Sequence, residues 1–329
     1  MSSTLRLRLC LHRVLPRFII LVHVLPILLL TYYLTVVFEY PPAVGDDGMV
    51  SLPTIGTDFS RNDYNATRQD RSETSNLPSL AIFFHIYIPP EDSGVAKVQR
   101  AKAIVHQQLN HLSEAMATIP NLSPSPLYYT SIGTEMEQSH METLCQNHSH
   151  HFHCHRIKHL KEGFESHTLQ ALYDHCQQYP SDRVIYIHTK GSFHNKRGQN
   201  HWRRHMTDAV AGRDCIEQAH ANRCDLCGLL FITRPTHHYT GNMFNAKCDY
   251  VGKLIPPIDF ARQMMAVHHR SLEMIRTGIL EANMFDFESP WNSGINRYAM
   301  EHWHGSHPSL DITCDVSNHS TNEYWKNTR

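Results

Sequence analysis

What is scarce in this sequence narrows it first. Positive charge is not in surplus: Lys and Arg total 30 against 31 Asp and Glu, whereas a protein held to nucleic acid by phosphate contacts carries a clear basic excess. Charged residues make 19% of the chain, below the ~25% usual for globular proteins. With 41% apolar residues, the chain has too much to bury to remain disordered. No internal repeat is present, which removes solenoids and propellers. The zinc-protease signature HExxH is missing as well. Its nearest approach, His201-Trp-Arg-Arg-His205, has Trp202 where the catalytic Glu would stand. Nor does Cys224-Asp-Leu-Cys227 have a second spaced pair with which to build a four-cysteine zinc site.

Histidine and cysteine are plentiful, at 27 and 9. Cys10 alone precedes the stretch Phe18–Phe38, FIILVHVLPILLLTYYLTVVF, which contains no Asp, Glu, Lys or Arg. As a helix it is long enough to cross a hydrocarbon core of ~30 Å, and a neutral His23 and a single Pro26 are tolerable there. Arg6, Arg8, Arg13 and Arg17 come before it, and Glu39, Asp46 and Asp47 follow. The positive-inside rule therefore keeps the N-terminus cytosolic and exports the remainder. A cleaved signal peptide would have an apolar core of about 7–15 residues and a small-x-small cleavage site; this run is longer and ends in Phe-Glu-Tyr-Pro-Pro. The expected arrangement is a single-pass type II protein of the Golgi or ER membrane. It has a cytosolic tail (1–17), a signal anchor (18–38), a luminal stem (39–78) and a folded luminal domain (79–329). N-glycosylation triplets at Asn65, Asn147 and Asn318 agree with export, while Asn121 is a weaker acceptor because Pro124 follows its triplet. Eight cysteines lie beyond the anchor, an even number that disulfides can consume in an oxidising compartment. They allow about a hundred pairings, and sequence selects none.

The stem is polar and turn-rich, with PPAVGDDG and SRNDYNATRQDRSETSN. Folded sequence begins at Leu80–Ile88, an unbroken apolar run that reads as a buried strand. Val98, Ala101, Ile104, Val105, Leu109, Leu112 and Met116 have helical spacing between Val95 and Thr118. Strands are expected at Leu127–Ile132, Val184–Ile187 and Cys227–Ile232, and helices at Thr168–Gln178, Asn200–Val210 and Asn296–Trp303. Strands alternating with helices predict an α/β domain with a mostly parallel sheet.

In such folds ligands bind beyond the carboxyl ends of strands. The loop after the Val184–Ile187 strand reads His188-Thr-Lys-Gly-Ser-Phe-His194. It offers a mobile cation at Lys190, hydroxyls at Thr189 and Ser192, and a backbone at Gly191 that a ligand can approach closely. Alone it would read as an ordinary polar turn. The segment Thr236-His-His-Tyr-Thr-Gly-Asn-Met-Phe-Asn-Ala246 sets a Gly-Asn pair among aromatic and imidazole groups, which suits a sugar's hydroxyls and C–H faces. A turn entering a helix would also accommodate it.

Taken in order, VIYIHTKGSFH (184–194), NHWRRHMT (200–207), CDLCGLLF (224–231), HHYTGNMFNAKCDYVGKLIPP (237–257) and RYAMEHWHGSHP (297–308) resemble a GT-A-like glycosyltransferase family. The segment Gly163-Phe-Glu-Ser-His-Thr-Leu169 shares that likeness. HTKG is also remotely similar to a motif of rhamnan-synthesis glycosyltransferases. The resemblance spans about Leu80 to Cys314. It implies a Rossmann-related fold and transfer of a sugar from a nucleotide-sugar donor to a glycan or glycoprotein. Under it, Lys190, His188 and Glu301 are the candidate catalytic residues. Thr189, Gly191, Ser192 and Arg203 are candidates for donor binding, and His238, Tyr239, Gly241 and Asn242 for the sugar or acceptor. GT-A enzymes usually hold Mn²⁺ or Mg²⁺ on an Asp-x-Asp, which this sequence lacks; Asp286-Phe-Glu288 is its nearest substitute. Either Lys190 and His188 neutralise the diphosphate without metal, or carboxylates elsewhere hold an ion. The missing motif also motivates a non-catalytic, lectin-like domain on the same fold. A metal-handling luminal protein is a third reading, resting on His148, His150, His151, His153, His155 and His159; a solvated loop is the plainer account of that tract.

Overall fold

The apolar run that opens the folded sequence becomes the central strand of a seven-stranded sheet, and that placement fixes the rest. The structure, a computed structural model, describes residues 79–192, 198–220, 223–232, 238–280, 294–307 and 313–316. In chain order the elements are β1 (Leu80–Ile88), α1 (Val95–Ala117), β2 (Ser125–Gly133), α2 (Gln138–Gln146), β3 (Phe152–Leu160), α3 (Ser166–Gln178) and β4 (Arg183–His188). There follow α4 (Gln199–Ala211), α5 (Arg213–His220), β5 (Leu226–Gly228), β6 (Phe231–Ile232), β7 (His238–Tyr239) and β8 (Phe244–Lys247). The last are α6 (Cys248–Val251), α7 (Pro257–Arg276), α8 (Ala299–His302) and β9 (Thr313–Asp315).

The sheet runs β3-β2-β1-β4-β8-β5-β9, and β6 pairs with β7 separately. β1, β2, β3 and β4 are parallel neighbours, β8 is antiparallel to both β4 and β5, and β9 is parallel to β5. The chain builds outward from β1 to β3, then returns to the other side of β1 as β4. This reversal puts the topological switch point between β1 and β4, where open α/β sheets leave a crevice at their carboxyl ends.

Alternation along the strands sorts side chains to the two faces. Ile82, Phe84, Ile86 and Ile88 of β1, with Ile185 and Ile187 of β4, pack into one core with Val98, Ala101, Val105 and Leu109 of α1 and Trp202 and Met206 of α4. Each such side chain contributes ~1.5–3 kcal/mol by leaving water. The intervening residues face α3: the Phe83 ring lies 5.5 Å from His175, and His85 Nδ1 is 3.0 Å from Thr168 Oγ1. Tyr186 and His188 share that face. So the helix pair α1 and α4 covers a dry side, and α3 covers a side that carries polar groups.

Two expectations change. The histidine tract is not a loop throughout, since Phe152–Leu160 forms strand β3 at the sheet edge. An edge strand with one covered side takes FHCHRIKHL without an apolar run. The single strand expected at Cys227–Ile232 divides into β5 and β6, because Leu230 turns the chain with φ 58°. All eight cysteines of the domain pair, as Cys145–Cys154, Cys176–Cys248, Cys215–Cys227 and Cys224–Cys314. Both members of the CxxC therefore bond to distant partners rather than to each other. Among the described residues no helix is long and apolar enough to cross a membrane. The expected anchor Phe18–Phe38, the stem, Asn65, Asn318, Asp286 and Glu288 lie outside the described residues.

Candidate functional site

The HTKG loop leaves β4 at the switch point and is pinned there by backbone. The Thr189 N–H donates to the His85 carbonyl at 3.1 Å, and Thr189 Oγ1 accepts from the Tyr87 N–H at 2.8 Å. Arg203, fully buried in α4, donates through Nη1 to the Lys190 carbonyl at 2.6 Å and through Nη2 to Asn200 and Gln107. Burial lowers its pKa to about 10, so it stays a cation near neutrality. Gly191 has φ +85°, and a Cβ there would stand 3.1 Å from that of Gln199. A side chain would be strained in that backbone as well as crowded.

Beneath this loop lies a carboxylate that the sequence did not single out. Glu165 precedes α3, and its Oε2 accepts from Tyr186 Oη at 2.9 Å and from Asn242 Nδ2 at 2.6 Å. Its Oε1 is 3.3 Å from His188 Nδ1. Burial, the largest influence, pushes the carboxyl pKa up; His188, His85 and the two hydrogen bonds outweigh it and hold Glu165 below the ordinary carboxylate range. His188 Nε2 donates to the Gly241 carbonyl at 2.7 Å. Burial lowers the His188 pKa, opposed by Glu165 and by that carbonyl. With an acceptor at each ring nitrogen, the ring satisfies both only as the cation, whereas burial, helped by Lys190, outweighs Glu165 and the carbonyl and holds the His188 pKa below the ordinary imidazole value. Burial also drives His85, next to this pair, down to about 4.

The Gly-Asn turn is locked into the same network. Gly241 has φ +85°, and a Cβ there would come within 2.4 Å of Met206 Sδ. Asn242 is fully buried with φ 52°. Upstream, His238 meets His302 edge-on at 5.3 Å, and Tyr239 donates its hydroxyl to the Cys314 carbonyl at 2.8 Å.

Two charged groups remain at the rim. The Lys190 ammonium and the Glu301 carboxylate make no hydrogen bond or ion pair with any described residue. They lie close enough to influence one another: burial raises the Glu301 pKa, Lys190 lowers it, Glu165 raises it and Arg297 lowers it, with a net rise. Among the described residues no three His, Cys, Asp or Glu side chains come together to hold an ion.

Comparison with known proteins places this domain. A family model described as a domain of unknown function, DUF8361, matches residues 83–329. The chain belongs to the DUF8361 family. No curated protein and no solved structure gives a match.

In this DUF8361 chain the sequence-selected residues separate into two sets. Lys190 lies near enough to influence both His188 and Glu301. Thr189, Ser192 and Arg203 turn their polar atoms to neighbouring protein groups: Ser192 Oγ donates to Thr189 Oγ1 at 3.4 Å, Thr189 Oγ1 also accepts from the Tyr87 N–H, and Arg203 serves the Lys190 carbonyl, Asn200 and Gln107. Asn242 and Gly241 touch Glu165 and His188, while His238 and Tyr239 are packed inside. Asn147 is exposed just beyond α2. Glu165, Tyr186 and His85 were missed. Period two from His188 back to Tyr186 was the available signal for one of them; Glu165 gave only its place in the familial segment.

Proposed function

We propose that this chain is a GT-A-like glycosyltransferase of the secretory pathway, anchored by residues 18–38, that moves a sugar from a nucleotide-sugar donor to a glycan or glycoprotein. The feature that supports the reading is the nearness of Lys190, on the loop at the β1/β4 switch point, to Glu301, close enough for each to influence the other while neither makes a hydrogen bond or ion pair with a described residue. In the proposed step Glu301 takes the proton of the acceptor hydroxyl as its oxygen bonds to the anomeric carbon. The bond from that carbon to the donor phosphate breaks, and its electron pair leaves on the diphosphate. Lys190 offsets the negative charge that grows there, an interaction stronger in the transition state than before it. Glu165 and His188 hold the two loops in register; the hydrogen bonds they already make leave them poorly suited to take the proton. No step is routed through a metal ion.

A panel of nucleotide sugars incubated with the purified full-length chain, with and without glycan acceptors, tests this. Donor hydrolysis or transfer is expected, and Lys190→Ala should cut turnover by roughly 10²–10³, the scale for losing one electrostatic stabiliser. The absent Asp-x-Asp favours the lectin-like alternative, and sugar binding without turnover across the panel would establish that instead. Activity abolished by chelator and restored by Mn²⁺ would remove Lys190 from its central role.

A further inference from the structure

Sequence sets His201 and His205 one helical turn apart, and the structure brings their side chains together. Both stand on α4, so their imidazoles rise from one stripe of that helix. The two Nε2 atoms are 2.8 Å apart, and the rings cross at 86° with centroids at 4.1 Å. His201 is exposed and His205 half-buried, so an ion in solvent can reach this edge of the pair. Trp202, Arg203, Met206 and Thr207 are buried along the rest of α4 and fix the helix that carries the rings. Asp208 continues the stripe, three residues beyond His205, with its Oδ2 3.8 Å from Arg204 Nε. Arg204 also meets Glu114 at 3.1 Å. This neighbouring cation is therefore offset by two carboxylates, which weakens its repulsion of a second positive ion.

Two imidazole nitrogens at this spacing can coexist in two ways. One ring donates its Nε2 proton to the other, or both carry their proton on Nδ1 and turn their Nε2 lone pairs to a shared ion. A neutral imidazole binds a divalent metal at ~2.0–2.1 Å. Two such bonds at a right angle put the nitrogens about 2.8–3.0 Å apart, whereas a tetrahedral angle needs about 3.3–3.4 Å. The observed 2.8 Å fits the right angle. Right-angled nitrogen donors are the tetragonal habit of Cu²⁺, which also heads the affinity order of the divalent first-row metals. Ca²⁺ and Mg²⁺ require oxygen ligands and find few here. Two histidines at this helical spacing hold zinc in the HExxH proteases, but there a Glu supplies the base. Trp202 stands in its place, so no hydrolytic step goes with the metal. We infer that His201 and His205 form a two-histidine chelate for Cu²⁺ on the outer side of α4, with water in the remaining positions. The site stands apart from the transferase reading and does not depend on it.

Titration of the full-length chain in detergent micelles with Cu²⁺ tests it, read by electron paramagnetic resonance and by the emission of Trp202, which adjoins His201. The histidines between His148 and His159 offer copper a competing place in the same chain, so the variants decide. The parent should give a tetragonal copper signal split by nitrogen, and tryptophan emission should fall as the site fills. His201→Ala and His205→Ala should each weaken this binding by roughly 10–100-fold, no less than the loss of a group that merely orients a ligand. The surface changes His150→Ala and His153→Ala, made together, should leave both readouts in place. Copper held with parental affinity after His201 and His205 are both replaced by Ala would overturn the inference, as would no copper signal in the parent. Loss of both readouts in the His150 and His153 variant alone would put the copper on that tract and overturn it. Tighter binding of Zn²⁺ than of Cu²⁺ at this pair would overturn the right-angled geometry and the metal assigned from it.

Discussion

Glu301 and Glu165 are two carboxylates in one cluster with opposite environments, and that contrast assigns their work. Glu165 meets three donors and is held ionised, so it is a poor proton acceptor. Glu301 is half-buried without a donor among the described residues, and burial raises its pKa. A base of raised pKa is the better catalyst near neutral pH. If Glu301 takes the acceptor proton, kcat/KM should climb with pH through a value above the ordinary carboxylate range and then level. Glu301→Gln should lose most activity and flatten that limb; an unchanged limb in the variant would assign the base elsewhere. Asn242 makes a separate case. Its amide donates to Glu165 and its backbone has positive φ, so Asn242→Ala loses a charge-assisted bond and also strains the chain. Asn242→Gly loses only the bond. The Ala variant should be less stable than the Gly variant by about 1 kcal/mol, read from urea midpoints. Equal midpoints would mean that the turn relaxes.

Among the elements, what could be read from sequence tracks how each one is buried. β1 and β4 are covered on both faces, so their middles run apolar with only His85 interposed, and α1 shows its buried stripe at helical spacing. β3 was hidden because an edge strand needs apolar residues on neither face throughout. β9 is only Thr313–Asp315 and has no pattern to read; its position depends on Cys224–Cys314 and on Asp315, which accepts from the Leu230 and Phe231 N–H groups at 2.9 Å each. The site was legible where chemistry was concentrated in one loop, as in HTKG. It was illegible where the partners came from four separate elements, as around Glu165. Such a short strand, closing a span of 90 residues, should depend on its bridge. Replacing both Cys224 and Cys314 by Ser should lower stability by about 2–5 kcal/mol, measured by denaturation under non-reducing conditions. Native mass analysis of the parent should recover all four bridges and no free thiol among these eight cysteines.

For the domain as a whole, buried histidines make acid stability a test of the fold. His85 and His302 are each more than nine-tenths buried, and burial, the leading cause in both, brings their pKa values to about 4. Unfolded, the same rings titrate near 6.5. Between those values the unfolded chain binds more protons than the folded one, so stability falls as pH falls, by at most about 1.4 kcal/mol per pH unit for each ring. The loss should begin near pH 6.5 and level off below about 4. Glu165 acts in a lower window. Its folded pKa is depressed, so its contribution is complete above the unfolded carboxylate value of about 4.3 and disappears as pH drops through the folded one. The two origins separate by mutation. His302→Gln should shallow the decline between pH 6.5 and 4, whereas Glu165→Gln should leave that slope and remove the further loss below about 4.3. Urea midpoints taken from pH 7 down to 3.5 read both. A midpoint that stays flat from pH 7 to 4.5 would mean that these rings are charged or solvated in the native domain, and the crevice assembled around His85 and His188 would have to be redrawn.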